Sequence, residues 1–269
     1  MRALVTGASY GIGGATCRKL AKDAIARGEP AYIVATATGR NPDLKEVVDE
    51  LKAMGAKAIG ITGDLSDPDV PKRLVAEAVE FCGGLDALVS NAVMRHKATM
   101  LELEVKDWDR SFAVNTRATW LLAKAAHPAL KASGGSIVAV TSIAGIFPHA
   151  NYGPYAPSKA ALINLVEMLA HEWGEDGIRV NSIAPGMTRT RNAEPVYANK
   201  DILEQRAAAI PLKRVADPSE MAGAIAMLLS KDASYITGQN VVVDGGYSKA
   251  IMSFVPGRFM PKASDKKPD

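Results

Sequence analysis

The five residues Tyr155-Ala-Pro-Ser-Lys159, with Ser142 thirteen positions upstream, are the part of this chain best equipped for chemistry. A tyrosine and a lysine four apart share one face of a helix and can interact. A lysine ammonium beside a phenol favours the phenolate, and a phenol's ordinary pKa of ~10 is otherwise too high for acid–base work near neutrality. Ser142 follows the apolar run Ile137–Thr141, which reads as a buried strand, so its hydroxyl is expected at the strand's C-terminal end. Open α/β sheets bind ligands at that edge. Together these residues suit the movement of a proton onto or off an oxygen. Alone, Tyr-x-x-x-Lys is a weak pattern in a chain with seven tyrosines, and an amphipathic helix with a surface lysine would also produce it.

The elements that must position these residues follow from periodicity. Apolar β-type runs recur at 3–6, 31–37, 56–62, 86–90, 136–141, 179–184 and 240–243, with helical patterns over 12–27, 42–54, 69–82, 105–131, 155–174 and 218–230. Strict alternation predicts an α/β fold with a parallel sheet covered on both faces. Seven strands without a repeat or linker predict one Rossmann-type, doubly wound domain over residues 1–247. Pro154 and Pro157 fit the first turn of their helix, whose N–H groups lack intrahelical partners. Residues 186–217 exceed an ordinary connection, and a segment of that length is usually functional, often a lid. Residues 248–269 form a tail whose apolar residues (Ile251, Met252, Phe254, Phe259, Met260) are expected to dock, with a charged, disordered end.

Thr6-Gly7-Ala8-Ser9-Tyr10-Gly11-Ile12-Gly13 follows the first strand and opens the first helix. Glycines allow a sharp turn and close approach to a pyrophosphate, and the helix N-terminus favours its charge. A tight structural turn would use the same residues, but the strand–turn–helix setting points to a dinucleotide. After the second strand the chain reads Thr38-Gly39-Arg40-Asn41, with no acidic residue to accept hydrogen bonds from both ribose hydroxyls of NAD. Arg40 leaves charge for the 2′-phosphate of NADP(H), which is the preferred cofactor, with NAD(H) possible. Otherwise Arg40 stacks on adenine or is solvated.

Composition narrows the class further. The chain has 269 residues, 48% hydrophobic and 23% charged, enough for a substantial core. Two cysteines without a Cys-x-x-Cys, and no histidine cluster, argue against metal or a disulfide framework and for a reducing cytoplasm. The first strand begins almost at residue 1, leaving no room for a leader, and no apolar run approaches the ~20 residues of a membrane helix. The net charge of +3 equals the excess in the tail, five basic against two acidic residues from Ser248 onward. The body is therefore neutral, and nucleic-acid binding has no electrostatic support.

These motifs resemble those of the classical short-chain dehydrogenases/reductases over roughly residues 2–247. The glycine turn, Asp64-Leu65, Asn91-Ala92, Pro185-Gly186-Met187-Thr188 and Val243–Gly246 match the family's motifs in order, as do Asn115, Ser142, Tyr155 and Lys159. The resemblance implies that Asp64 and Leu65 meet adenine and that Pro185, Gly186 and Thr188 hold the nicotinamide carboxamide. It implies that Tyr155 gives its proton to a carbonyl oxygen as hydride arrives, or takes one in oxidation. Lys159 would make the phenol a readier donor and bond the nicotinamide ribose, Ser142 would hold the substrate oxygen, and Asn115 would anchor a water relay to Lys159. Val93 departs from the family by adding bulk where it keeps glycine, and the long 23–30 connection loosens the register of Arg40.

The implied protein is an oxidoreductase interconverting a secondary alcohol and a ketone. An NAD-dependent alcohol dehydrogenase and a non-catalytic dinucleotide sensor are the alternatives. Val93, Ile143, His149 and Tyr152 are candidates for the substrate pocket; Tyr152 has Ala156 where its lysine would stand. Arg189 and Arg191 either bind an acidic substrate group or are solvated. Helices 105–131 and 155–174 are apolar round much of their circumference, and the resemblance implies that they pair into a homodimer or homotetramer.

Overall fold

The computed structural model describes residues 1–39 and 43–255. Its strands are β1 (Arg2–Thr6), β2 (Tyr32–Ala37), β3 (Lys57–Thr62), β4 (Ala87–Ser90), β5 (Ser136–Val140), β6 (Arg179–Pro185) and β7 (Asn240–Val243). They form one seven-stranded sheet in the order β3-β2-β1-β4-β5-β6-β7, with every neighbouring pair parallel. Order reverses between β1 and β4, so their C-terminal ends part at the topological switch point where such sheets bind ligands. The expected Rossmann-type architecture is the one observed.

Strand pleating divides the core. Ala3 and Val5 join one buried cluster and Leu4 the other; Val138 and Val140 likewise oppose Ile137 and Ala139. Successive strand side chains point to opposite faces, so a parallel sheet needs apolar residues at both parities. Helices α1 (Gly11–Ala26) and α2 (Asp43–Ala53) cover the first face together with Met221, Ile225 and Leu228 near its end. Helices α3 (Val70–Cys82), α5 (Ala118–Ser133) and α6 (Tyr155–Trp173) cover the second.

The structure departs from expectation at the 105–131 pattern, which is not one helix. It divides into α4 (Val105–Phe112), a π-helical turn over Ala113–Arg117, and α5. A π turn holds one extra residue, and such turns recur at functional sites. Residues 186–217 contain α7 (Glu194–Tyr197) and α8 (Lys200–Ala209) rather than an irregular loop. Their base is clasped by the Thr188–Ala216 bridge, where Arg189 N donates to Ala216 O at 2.8 Å and Ala216 N to Met187 O at 3.0 Å. Helix α9 (Pro218–Leu229) follows, opened by an Asp217/Glu220 capping box.

In the tail Ala250 is buried, but Ile251, Met252 and Phe254 are exposed at 72%, 52% and 55%. The expected docking of these apolar residues therefore does not occur within one chain. Phe259, Met260 and the charged end lie outside the described residues. Among the described residues no helix is long and apolar enough to cross a membrane.

The junction of β5 with α6 depends on Gly145. A Cβ there would lie 2.8 Å from the carbonyl carbon of Lys159 and 3.0 Å from Ala160 N. Gly145→Ala is expected to lower stability by about 1–3 kcal/mol through overpacking, read by denaturant unfolding. An unchanged unfolding midpoint would show that the strand end and the helix can separate freely.

Candidate active site

The glycine turn is held from β4. Asn91 Nδ2 donates to the carbonyls of Thr6 and Gly7 at 2.9 and 3.0 Å, and the backbone N–H groups of Asn91 and Ala92 both donate to Thr6 Oγ1 at 2.9 and 3.1 Å. Gly7 and Gly11 take φ values of +63° and +57°. A Cβ on Gly13 would press on the Gly7 carbonyl oxygen and come within 2.6 Å of Asn91 Nδ2. Ser9 is buried, Ile12 packs against the core, and Tyr10 occupies the N-cap of α1, whose helix its side chain does not cap. With no side chain capping them, the first N–H groups of α1 suit the negative charge of a pyrophosphate. The turn therefore fits the dinucleotide that its sequence suggests.

Further along the same edge, Leu65 is buried and Asp64 is shared between two elements. One carboxylate oxygen of Asp64 accepts from Ser66 N and Oγ at 3.0 and 2.8 Å, the other from Arg110 on α4 at 3.0 Å. Pro185 ends β6, Gly186 N donates to Val243 O at 3.0 Å, and Thr188 Oγ1 donates to Gly186 O at 3.3 Å. Arg40 lies outside the described residues. Arg189 and Arg191 are both exposed to solvent and ion-paired. Arg189 forms a two-pronged pair with Glu194 at 2.6 and 3.0 Å, and Arg191 pairs with Asp43 while its guanidinium lies 5.4 Å from the centre of the Tyr10 ring. Arg191 thus sits over the glycine turn.

Tyr155 opens α6 at 6% exposure and Lys159 follows one turn later at 2%. The Lys159 ammonium donates to the carbonyl oxygen of Val140, the last residue of β5, at 2.7 Å. Two residues beyond Val140 stands Ser142, buried, its Oγ accepting from Ala144 N at 3.1 Å. Ala144 in turn packs with Tyr155 and Ala156. The lysine and this contact bring the end of β5 and the start of α6 together, and with them the serine, tyrosine and lysine read from sequence.

Asn115 lies in the π turn at 1% exposure. Its Oδ1 accepts from Met94 N at 2.8 Å, and its Nδ2 donates to Met94 O and Ser158 Oγ, both at 2.9 Å. Ser158 Oγ then donates to Tyr155 O at 2.8 Å, and Thr116 Oγ1 to Ser158 O at 2.9 Å. Asn115 does not bond to its own helix backbone, as a polar residue in a helical pattern often does. It ties the segment after β4 to α6. Ser158 carries no sequence signal as a partner although it stands inside the Tyr-x-x-x-Lys stretch; its burial is decided by α4 and the π turn.

Of the pocket candidates, Tyr152 is half-buried with its ring centre 6.4 Å from that of Tyr155 and 4.7 Å from that of the exposed His149. Ile143 is half-buried. Val93 is 41% exposed, so its added bulk is only partly covered by the fold. Arg95 had no sequence signal, because the segment after β4 is irregular. Its guanidinium carbon lies 5.3 Å from the centre of the Tyr155 ring, and Lys97 Nζ lies 5.9 Å from that of Tyr152.

Burial, with the charge of Arg95 as a smaller cause, pushes Lys159 down from 10.5 to about 7. One carbonyl does not replace the water an ammonium loses. The unfolded chain therefore binds more protons than the folded one between about pH 7 and 10.5, and this lysine's contribution to stability rises with pH across that window. Lys159→Met is expected to be more stable than the wild type at pH 7, with the gap closing as pH rises toward 10. Parallel stability curves for the two proteins, measured by denaturant unfolding, would show that the ammonium is well solvated.

Comparisons with known proteins agree with this geometry. A family model described as Enoyl-(Acyl carrier protein) reductase matches residues 7–248. Dehydrogenase/reductase SDR family member 4 of Bos taurus is 39% identical over 246 residues, covering 91% of this chain and 86% of the relative. The 2,5-dichloro-2,5-cyclohexadiene-1,4-diol dehydrogenase LinX of Sphingobium indicum is 36% identical over 253 residues, covering 93% and 96%. A short chain dehydrogenase from Burkholderia cenocepacia J2315, solved in complex with NADP, superimposes with a TM-score of 0.83 at 32% identity, covering 92% of this chain and 97% of that one. With its parallel sheet, glycine turn and Ser142/Tyr155/Lys159 cluster, this chain belongs to the short-chain dehydrogenase/reductase family, as an NAD(P)-dependent oxidoreductase acting on CH–OH groups.

Proposed function

We propose that this protein interconverts a secondary alcohol and a ketone with NADP(H) in preference to NAD(H), using Tyr155 as the general acid/base. The observation that carries this reading is the buried Lys159 ammonium, one helical turn from Tyr155 and bonded to the end of the strand that leads to Ser142. Gly7, Ser9, Tyr10, Gly11, Ile12 and Gly13 would cradle the pyrophosphate, with Asn91 and Ala92 behind them. Asp64 and Leu65 would border the adenine; Pro185, Gly186 and Thr188 would border the carboxamide. The absence of an acidic residue at 38–41 supports NADP(H).

The bound nicotinamide supplies or accepts the hydride. In reduction, Tyr155 gives its phenolic proton to the carbonyl oxygen, and Ser142 donates a hydrogen bond to the same oxygen as its negative charge develops. Lys159, brought by burial close to neutral titration, holds a cation beside the phenol and can return a proton to it. Asn115 positions this apparatus by fixing Ser158 and the Met94 segment. Apolar side chains exposed on the helices beside the site, Val105, Trp120 and Met168, favour a homotetramer built across α4–α6. The two buried, unpaired thiols Cys17 and Cys82 suit a reducing cytoplasm.

Nicotinamide absorbance followed with NADP(H) and NAD(H) over matched ketones and secondary alcohols tests the reading. Tyr155→Phe is expected to lower turnover by about 10²–10⁴-fold while cofactor still binds. Arg40→Asp is expected to move preference toward NAD(H). Tight cofactor binding by the wild type without turnover of any carbonyl would instead favour a sensor of cofactor state.

A further inference from the structure

The guanidinium of Arg95 faces the ring of Tyr155, and the proposed reaction gives it no task. Charge is what attracts an arginine to an aromatic face, so its N–H donors stay available to another group. Arg95 is exposed, and no carboxylate pairs with it or with Lys97 among the described residues. Lys97 stands over the neighbouring ring of Tyr152, against which His149 packs. The two segments that border the cluster, residues 93–99 and 143–153, contain Arg95, His96, Lys97 and His149 but no aspartate or glutamate. Asp107 lies 3.6 Å from His96 Nδ1 and so is turned to the histidine. Two further arginines at this edge, Arg189 and Arg191, already have carboxylate partners.

We infer that the substrate is an oxo acid and the product the matching hydroxy acid, with the substrate carboxylate held by Arg95 and supported by Lys97. This rests on the alcohol/ketone reading above and deepens it. A planar guanidinium binds a carboxylate through two parallel N–H···O bonds, which fix direction as well as charge. Since Arg95 lies against the very ring whose hydroxyl serves the reacting oxygen, the carboxylate belongs a short chain away from the carbonyl, as in 2- or 3-oxo acids. The carboxylate takes no part in bond making. Hydride reaches the carbonyl carbon, the Tyr155 proton reaches the oxygen, and the acid group leaves as it entered. The field of Arg95 does extend to the reacting centre, as its effect on Lys159 indicates.

The test compares each oxo acid with its own methyl ester, from 2-oxo to 4-oxo, at saturating NADPH. The wild type is expected to favour the acid in kcat/KM, most strongly at the chain length that matches the Arg95–Tyr155 spacing. In Arg95→Met the acid-to-ester ratio of kcat/KM is expected to fall by about 30–100-fold, the scale of a charge-assisted hydrogen-bonded pair. Arg95→Lys is expected to recover part of the ratio, and Lys97→Met to lower it by a smaller factor. Because a ratio cancels any general harm to the fold or to Tyr155, a variant that loses both substrates equally overturns the assignment. Wild-type preference for esters overturns it too and leaves the oxidoreductase reading intact. Failure to reduce any acid or ester, with cofactor bound, overturns both.

Discussion

Lys159 carries an ammonium with almost no access to water and gives one of its hydrogens to the Val140 carbonyl. That arrangement is costly in the folded protein, and it is also what fastens the end of β5 to the first turn of α6. Ser142 lies just beyond that strand end and Tyr155 one turn before that lysine, so the contact that strains the lysine's protonation also assembles the reacting groups. Gly145 allows it, because any side chain there would press on the lysine's own backbone. Sites of this kind trade stability for chemistry.

The remainder of the site is organised by polar side chains that serve as fasteners. Asn91 holds the glycine turn from the neighbouring strand, and Asn115 holds the segment after β4 against α6. The Asn91 amide donates to two carbonyls of the turn, whereas that of Asn115 both accepts from and donates to the Met94 backbone and donates to Ser158 Oγ. The π turn at Ala113–Arg117 is part of this device. It brings Asn115 into the core, where it meets Ser158 and Met94.

Charge is distributed unevenly around the sheet's C-terminal edge. Asp64 bridges its own turn to Arg110, Arg191 meets Asp43, and Arg189 meets Glu194. Such exposed pairs contribute little to stability. Their consequence is that Arg110, Arg189 and Arg191 are already matched in the protein, whereas Arg95 and Lys97 face aromatic rings. A dinucleotide and a carboxylate substrate would thus meet different electrostatic conditions at one edge.

The sequence by itself determined the sheet, the order of elements and the glycine turn, because strand and helix periodicity and glycine requirements are local properties. Ser142, Tyr155 and Lys159 were legible for the same reason, being set by spacing on one helix and by position at one strand end. Tertiary structure alone decided the break at 113–117, since a π turn costs local regularity and is stabilised by the distant partners of Asn115. It alone turned Arg191 toward Tyr10 and Arg95 toward Tyr155, because long cationic side chains on irregular segments take their direction from whichever carboxylate or aromatic ring packing brings within reach. The exposure of Ile251, Met252 and Phe254 belongs with these: hydrophobicity marks residues that gain by burial, and only the packed chain determines which of them find a surface.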